Sequence, residues 1–73
     1  MTKRDKLRKR LRNNPNNVTF DQIRTLLEQE DFKLVRISGS HHIFKRDVTI
    51  FVVPVHNNRV KAVYVKRTLE LLD

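Results

Sequence analysis

Two adjacent histidines, His41 and His42, are the side chains of this sequence best suited to chemistry near neutral pH. The unperturbed pKa of imidazole is about 6.5, so the ring readily takes up or releases a proton. The pair follows Gly39 and Ser40, and Gly39 is the only glycine of the chain. Because glycine easily adopts positive φ, this stretch predicts a tight turn that presents imidazole at the end of a sheet. In a strongly basic chain, the arrangement indicates acid–base chemistry on a phosphodiester.

Strand alternation separates the two histidines. Neighbouring side chains on a strand face opposite sides of the sheet, and Phe44 is expected to mark the core side. His42 then shares the core side, and His41 lies on the open face, where it takes a proton from a ribose 2′-OH or gives one to the leaving 5′ oxygen. A bulge after Gly39 would exchange these roles, so His42 stays the alternative catalytic residue.

Other side chains are candidates to assist. Lys45 or Arg36 can stabilise charge on the phosphoryl oxygens, and His56, after the third strand, is a second proton-transfer group or a phosphate contact. A metal site is disfavoured, because adjacent histidines on a flat strand do not easily chelate one ion and the chain has no cysteine. We expect neither a metal nor a cofactor.

The charge of the chain is concentrated at its N-terminus. The formal net charge is +8 over 73 residues, and residues 1–12 hold seven basic side chains against one acidic side chain. Such a segment attracts phosphate without sequence preference, although it also suits an acidic protein partner. Its candidate RNA contacts are Lys3, Arg4 and Arg8.

Composition also bounds the location of the protein. The chain has no cysteine, and no apolar run approaches the roughly 20 residues that cross a bilayer. We therefore expect a cytoplasmic protein with no membrane partner. The sequence does not indicate an oligomeric state.

Residues 1–17 and 18–73 are predicted to be separate parts. Residues 2–12 form a basic helix, and a linker of asparagines around Pro15 follows it. The domain then begins with Thr19 as N-cap and Gln22 as its capping-box partner. An apolar periodicity beginning at Phe20 predicts a helix of about 12 residues.

Three strands and a second helix complete the domain. The strands are expected over 32–37, 41–45 and 48–53, the third being central and ended by Pro54. The last helix runs from about Val60 to Leu72, with Val63 and Leu69 on its apolar face. This order predicts an α+β fold, α-β-β-β-α, with a three-stranded antiparallel sheet and both helices on one face, as in double-stranded-RNA-binding domains.

Two segments resemble the HicA toxins of bacterial toxin–antitoxin systems, which are small mRNA interferases. They are Ile37–Lys45, with its Gly-Ser-His entry to a strand, and Val52–His56, with its Pro/His ending. The resemblance extends from Phe20 to Leu72. It implies the toxin of a type II system, a metal-independent endoribonuclease that cleaves mRNA with a hairpin histidine. It also implies a HicB-type antitoxin that covers this histidine.

Two other interpretations stay open. One is a non-catalytic RNA-binding module of the same fold. The other is a basic protein whose only ligand is an acidic antitoxin.

Overall fold

A three-stranded antiparallel sheet with helices on one face organises the chain in the computed structural model. The structure describes residues 3–72, and the side chains of Lys3 and Arg4 lie outside the description. The helices are α1 (Lys3–Asn13), α2 (Phe20–Gln29) and α3 (Ala62–Leu72). The strands are β1 (Val18–Thr19), β2 (Lys33–Ser38), β3 (His41–Arg46), β4 (Thr49–Pro54) and β5 (Arg59–Val60). The predicted α+β class is confirmed.

The sheet has the order β2-β3-β4. It is the predicted meander, but the prediction that the third strand is central is wrong, because two successive hairpins place β3 in the middle. The high β-propensity of β4 does not reflect full burial, since Ile50 and Val52 are 62% and 39% exposed. Pro54 fits an edge strand, because proline cannot donate a ladder hydrogen bond.

One face of the sheet packs on the helices. Phe44 of β3 and Val53 of β4 are completely buried there, together with Ile23 of α2 and Val65 of α3. On the opposite face, Val35, Ile50 and Val52 remain exposed, and no helix of the described chain covers them. The fold therefore leaves one sheet face available to a partner, as the sequence predicted.

A confirmed capping box starts α2. The Thr19 hydroxyl accepts from the Gln22 backbone N–H at 3.3 Å, and the Gln22 side chain accepts from the Thr19 N–H at 3.0 Å. Thr19 also belongs to β1, which pairs with β5 through Val18–Val60 and Thr19–Arg59. The sequence pattern does not predict the β1–β5 pair, because two-residue strands are too short to show alternation.

The last helix begins two residues later than predicted. Val60 lies in β5, and Val63, predicted on the apolar face, is 48% exposed. The buried positions are Val65, Thr68 and Leu69, so Leu69 agrees with the predicted apolar face, and the three share one helix face at spacings of three and four. The buried hydroxyl of Thr68 has a hydrogen-bond partner, because it donates to the Tyr64 carbonyl at 2.8 Å.

The N-terminal helix α1 contributes to the same core. Leu11 is only 1% exposed, and Leu7 packs against the core more loosely. Arg8 pairs with Glu30 at 2.6 Å, which ties α1 to the end of α2. Among the described helices, none is both long and apolar enough to cross a membrane.

Candidate active site

The turn between β2 and β3 has the predicted conformation. Ser38 pairs with His41 across the hairpin, which leaves Gly39 and Ser40 as the two turn residues. Gly39 has φ of 60°, and a positive φ at the first residue is what a type II′ turn requires. A Cβ atom at Gly39 would meet nothing within 4 Å, so backbone conformation rather than space favours glycine here.

His41 is the first residue of the central strand and is exposed on the open sheet face. Its cross-strand neighbours are Ser38 of β2 and Pro54 of β4. Among residues 3–72, the structure shows no hydrogen bond or ion pair to its ring. Both imidazole nitrogens are therefore accessible to a ligand on this face.

His42 lies on the helix side and makes specific contacts. Its ring centroid is 4.3 Å from that of Phe20, and its Nδ1 is 3.2 Å from the Ser40 carbonyl oxygen. Because a carbonyl only accepts, Nδ1 carries the proton in this hydrogen bond. The same carbonyl accepts from the Val55 N–H at 2.8 Å. His42 thus connects the turn to α2, and the Ser40 carbonyl connects the turn to the residue after β4.

The register of β3 keeps the two histidines on opposite faces. Its pairing with β4 is continuous from His41–Pro54 to Arg46–Thr49. The irregularity in the sheet lies in β2, between Leu34 and Arg36. The strand β3 therefore has no bulge after Gly39, which is the irregularity that would have exchanged the faces of His41 and His42.

Arg36 and Lys45 occupy different positions relative to His41. Arg36 pairs with Ile43, so it is a diagonal neighbour of His41, at about 7 Å between Cα atoms. Lys45 lies four residues along the same strand, or about 13 Å away. The sheet therefore brings Arg36, rather than Lys45, within side-chain reach of a phosphate at His41.

His56 lies at the His41 end of the sheet. Pro54 is opposite His41, and His56 follows two residues later, or about 7 Å along the chain. Its side chain is exposed. The sequence left either end of the sheet open for His56, and the antiparallel register of β3 and β4 decides between them.

Two basic residues that the sequence analysis did not single out lie beside His56. Arg59 and Lys61 line an open pocket with His56, Val60 and Asn16. A signal for this region exists in the sequence, because residues 48–69 contain no Asp or Glu and four Lys or Arg. The net charge of the whole domain does not show this excess of basic residues, since residues 13–47 hold five basic and five acidic side chains.

Of the three N-terminal side chains predicted to contact RNA, the structure describes only that of Arg8. The guanidinium of Arg8 forms the ion pair with Glu30, so it has a role inside the fold. The side chains of Lys3 and Arg4 lie outside the described residues. Within the described part of the chain, no three His, Cys, Asp or Glu side chains gather where they could hold a metal ion.

Comparison with known proteins gives one match. Neither a curated protein nor a solved structure matches the chain. The model of one protein family, the HicA toxin of bacterial toxin–antitoxin systems, matches residues 20–73. This range begins at the first residue of α2, covers most of the chain and includes the whole sheet with both histidines. The chain belongs to the HicA toxin family of bacterial toxin–antitoxin systems.

Proposed function

We propose that the protein is the toxin of a type II system and cleaves mRNA as a metal-independent endoribonuclease, with His41 as its general acid–base group. The observation that carries the proposal is the position of His41. The ring is exposed at the start of the central strand, on the sheet face that the helices leave open, in a chain of the HicA family.

The chemistry needs one proton-transfer group next to a bound phosphodiester. A 2′-OH attacks phosphorus as the bond to the 5′ oxygen breaks, and imidazole takes the proton of the attacking hydroxyl or protonates the leaving oxygen. Arg36, diagonal to His41, donates hydrogen bonds to the phosphoryl oxygens as negative charge develops. Lys45 and His56 contact flanking phosphates, and the basic residues of α1 add salt-sensitive affinity.

Replacement of His41 by alanine tests the proposal. General acid–base catalysis typically contributes between about 10² and 10⁴ in rate, so His41→Ala should lower the cleavage rate of a single-stranded RNA oligonucleotide by at least about 100-fold. The free energy of unfolding in urea should not change, because the ring is exposed and makes no contact that supports the fold. Val48→Ala, at the exposed β3–β4 turn, is the matched control and should cleave normally.

The same assay separates the alternatives. Cleavage that survives in His41→Ala and is lost in His42→Ala would transfer the role to His42. RNA binding without any cleavage by the wild-type chain would favour the non-catalytic RNA-binding module. Loss of cleavage on addition of a chelator would contradict the metal-independent mechanism.

We also propose a HicB-type antitoxin as the protein partner, bound across the open sheet face. Exposed apolar side chains on the two edge strands of this face, from Val35, Ile50 and Val52, are typical of a protein interface. Lysines and an arginine lie among them, at Lys33, Arg36 and Lys45, which suits an acidic partner. A protein seated there would cover His41 and exclude RNA.

A further inference from the structure

The pocket between β4 and α3 carries two basic side chains, from Arg59 and Lys61, that the proposed chemistry does not use. Arg59, Lys61 and His56 line it together with Val60 and Asn16, and none of these residues is acidic. We propose that this pocket is a phosphate subsite for the RNA strand, which holds the phosphodiester next to the one that is cleaved. This inference rests on the proposed function, because it places a second phosphate of the same substrate.

The first argument is the rigidity of the turn that presents these side chains. His56 and Arg59 exchange two backbone hydrogen bonds, of 3.1 and 2.8 Å. Asn57 and Asn58 between them have φ of 51° and 61°, the conformation of a type I′ turn. The Asn58 carbonyl accepts from the Phe20 N–H at 3.0 Å, which attaches the turn to the start of α2. The backbone from which His56 and Arg59 project is therefore held in place before a ligand arrives, which lowers the entropic cost of binding.

The second argument is the orientation of the side chains. Arg59 pairs with His56 in an isolated bridge and with Thr19 in the β1–β5 ladder, so His56 and Arg59 project from the same side. Lys61 returns to this side two residues later, whereas Val60 between them is 3% exposed. The Arg59 guanidinium also donates to the Asn17 side chain, which fixes its direction.

The third argument is the location of the pocket next to the candidate catalytic residue. The Val55 N–H binds the Ser40 carbonyl, directly before His41, and His56 is the residue after Val55. The pocket is therefore within reach of an RNA strand whose scissile phosphate lies at His41. Residues 48–69 contain no carboxylate, so this segment of the protein does not repel the RNA phosphates.

The experiment measures binding of an RNA that cannot be cleaved. A single-stranded oligonucleotide with 2′-O-methyl riboses lacks the attacking hydroxyl, and fluorescence anisotropy gives its affinity for the full chain between about 0.05 and 0.3 M salt. Each phosphate contact contributes about 0.7 to the slope of log K against log salt for a single strand. Lys61→Met should therefore reduce the magnitude of the slope by about 0.7 and weaken binding about fourfold near 0.15 M salt.

Lys66→Met is the matched control, because it removes the same charge from an exposed position of α3 outside the pocket. It should leave the slope unchanged. Equal losses in Lys61→Met and Lys66→Met, or no loss in either, would overturn the subsite.

A second arm distinguishes the RNA strand from a free anion. Inorganic phosphate is titrated while NMR follows the amides of His56 and Arg59. Shifts with the oligonucleotide that disappear in Lys61→Met support the subsite. Shifts with inorganic phosphate alone, with an unchanged oligonucleotide affinity in Lys61→Met, would overturn it. Wild-type chain that binds RNA through Lys61 but does not cleave it would contradict the nuclease and leave the subsite standing.

Discussion

At the scale of single residues, the two histidines have different surroundings although they are neighbours in sequence. The ring of His41 is open to ligands, whereas His42 packs on Phe20 and donates to the Ser40 carbonyl. Since the Ser40 carbonyl precedes His41, the hydrogen bond from His42 holds the backbone from which the His41 side chain projects. We infer that His42 is a positioning residue for His41.

This role predicts different results for two substitutions of His42. Asparagine retains an N–H donor close to the position of Nδ1, whereas leucine retains apolar volume without a donor. His42→Leu should lose about 1 kcal/mol of unfolding free energy with its hydrogen bond and cleave RNA several-fold more slowly in kcat. His42→Asn should recover most of kcat but not the packing against Phe20.

Single-turnover cleavage and urea unfolding, both measured on each variant, check this prediction. A purely structural role would make cleavage follow stability in both variants. Normal kcat in His42→Leu would contradict the positioning role.

At the scale of elements, the two ends of α2 show how local and tertiary contacts combine. The N-terminus has its own capping box, which local sequence specifies. The C-terminus carries Glu28 and Glu30, which interact unfavourably with the helix dipole. Arginines from two other elements offset this arrangement, because Arg8 of α1 pairs with Glu30 and Arg46 of β3 donates to the Glu30 carbonyl at 3.0 Å. The guanidinium of Arg46 also lies 4.5 Å from the centre of the Phe32 ring.

The packing of α1 predicts that this helix stabilises the domain. Leu11 is buried, and replacement of a buried leucine by alanine typically costs about 2–5 kcal/mol. Leu11→Ala should lower the unfolding free energy by about 2–3 kcal/mol because it leaves a cavity between α1 and the other helices. Urea unfolding measures the change, and Lys9→Ala at an exposed α1 position is the control.

Deletion of residues 1–17 tests the predicted division of the chain directly. The shortened chain should be at least as destabilised as Leu11→Ala. A deletion variant as stable as the full chain would show that residues 18–73 form a self-sufficient domain and that α1 is a separate segment.

At the scale of the whole molecule, the two faces of the sheet differ in their burial. One face holds the core, with Phe44 and Val53 completely buried. The other presents apolar side chains among basic ones, and its edge strands β2 and β4 are both unpaired on their outer sides in the described sheet. His41 lies at one end of this face. The same surface therefore suits both a substrate and a protein that blocks it.

The proposed antitoxin interface predicts that a single charge on this face disrupts the complex. Ile50 is 62% exposed on the open face, and a glutamate there would bring a negative charge against an acidic partner. Ile50→Glu should weaken binding of a HicB-type antitoxin at least tenfold in calorimetric titration. Val48→Glu, at the 93% exposed turn position, is the matched control and should bind normally.

Equal affinity of wild type and Ile50→Glu would place the antitoxin elsewhere on the molecule. Equal losses in both variants would indicate a general effect of negative charge rather than a contact at the open face.

Features that depend on neighbouring residues could be predicted from the amino-acid sequence. The capping box at Thr19, the turn at Gly39, the order of the three helices and of the three strands of the main sheet, and the opposite faces of His41 and His42 all follow from local conformational preference and from alternation along one strand. These signals need only a few consecutive residues, so they can be read without knowledge of the tertiary contacts.

Features that join distant residues became visible in the folded chain. The tertiary structure placed β3 rather than β4 at the centre, buried Leu11 and Thr68, and paired β1 with β5. It also brought His56, Arg59 and Lys61 to the His41 end of the sheet. Strand order, register and helix docking are set by the joint burial of apolar surface from separate segments, and periodicity within one segment does not contain that information.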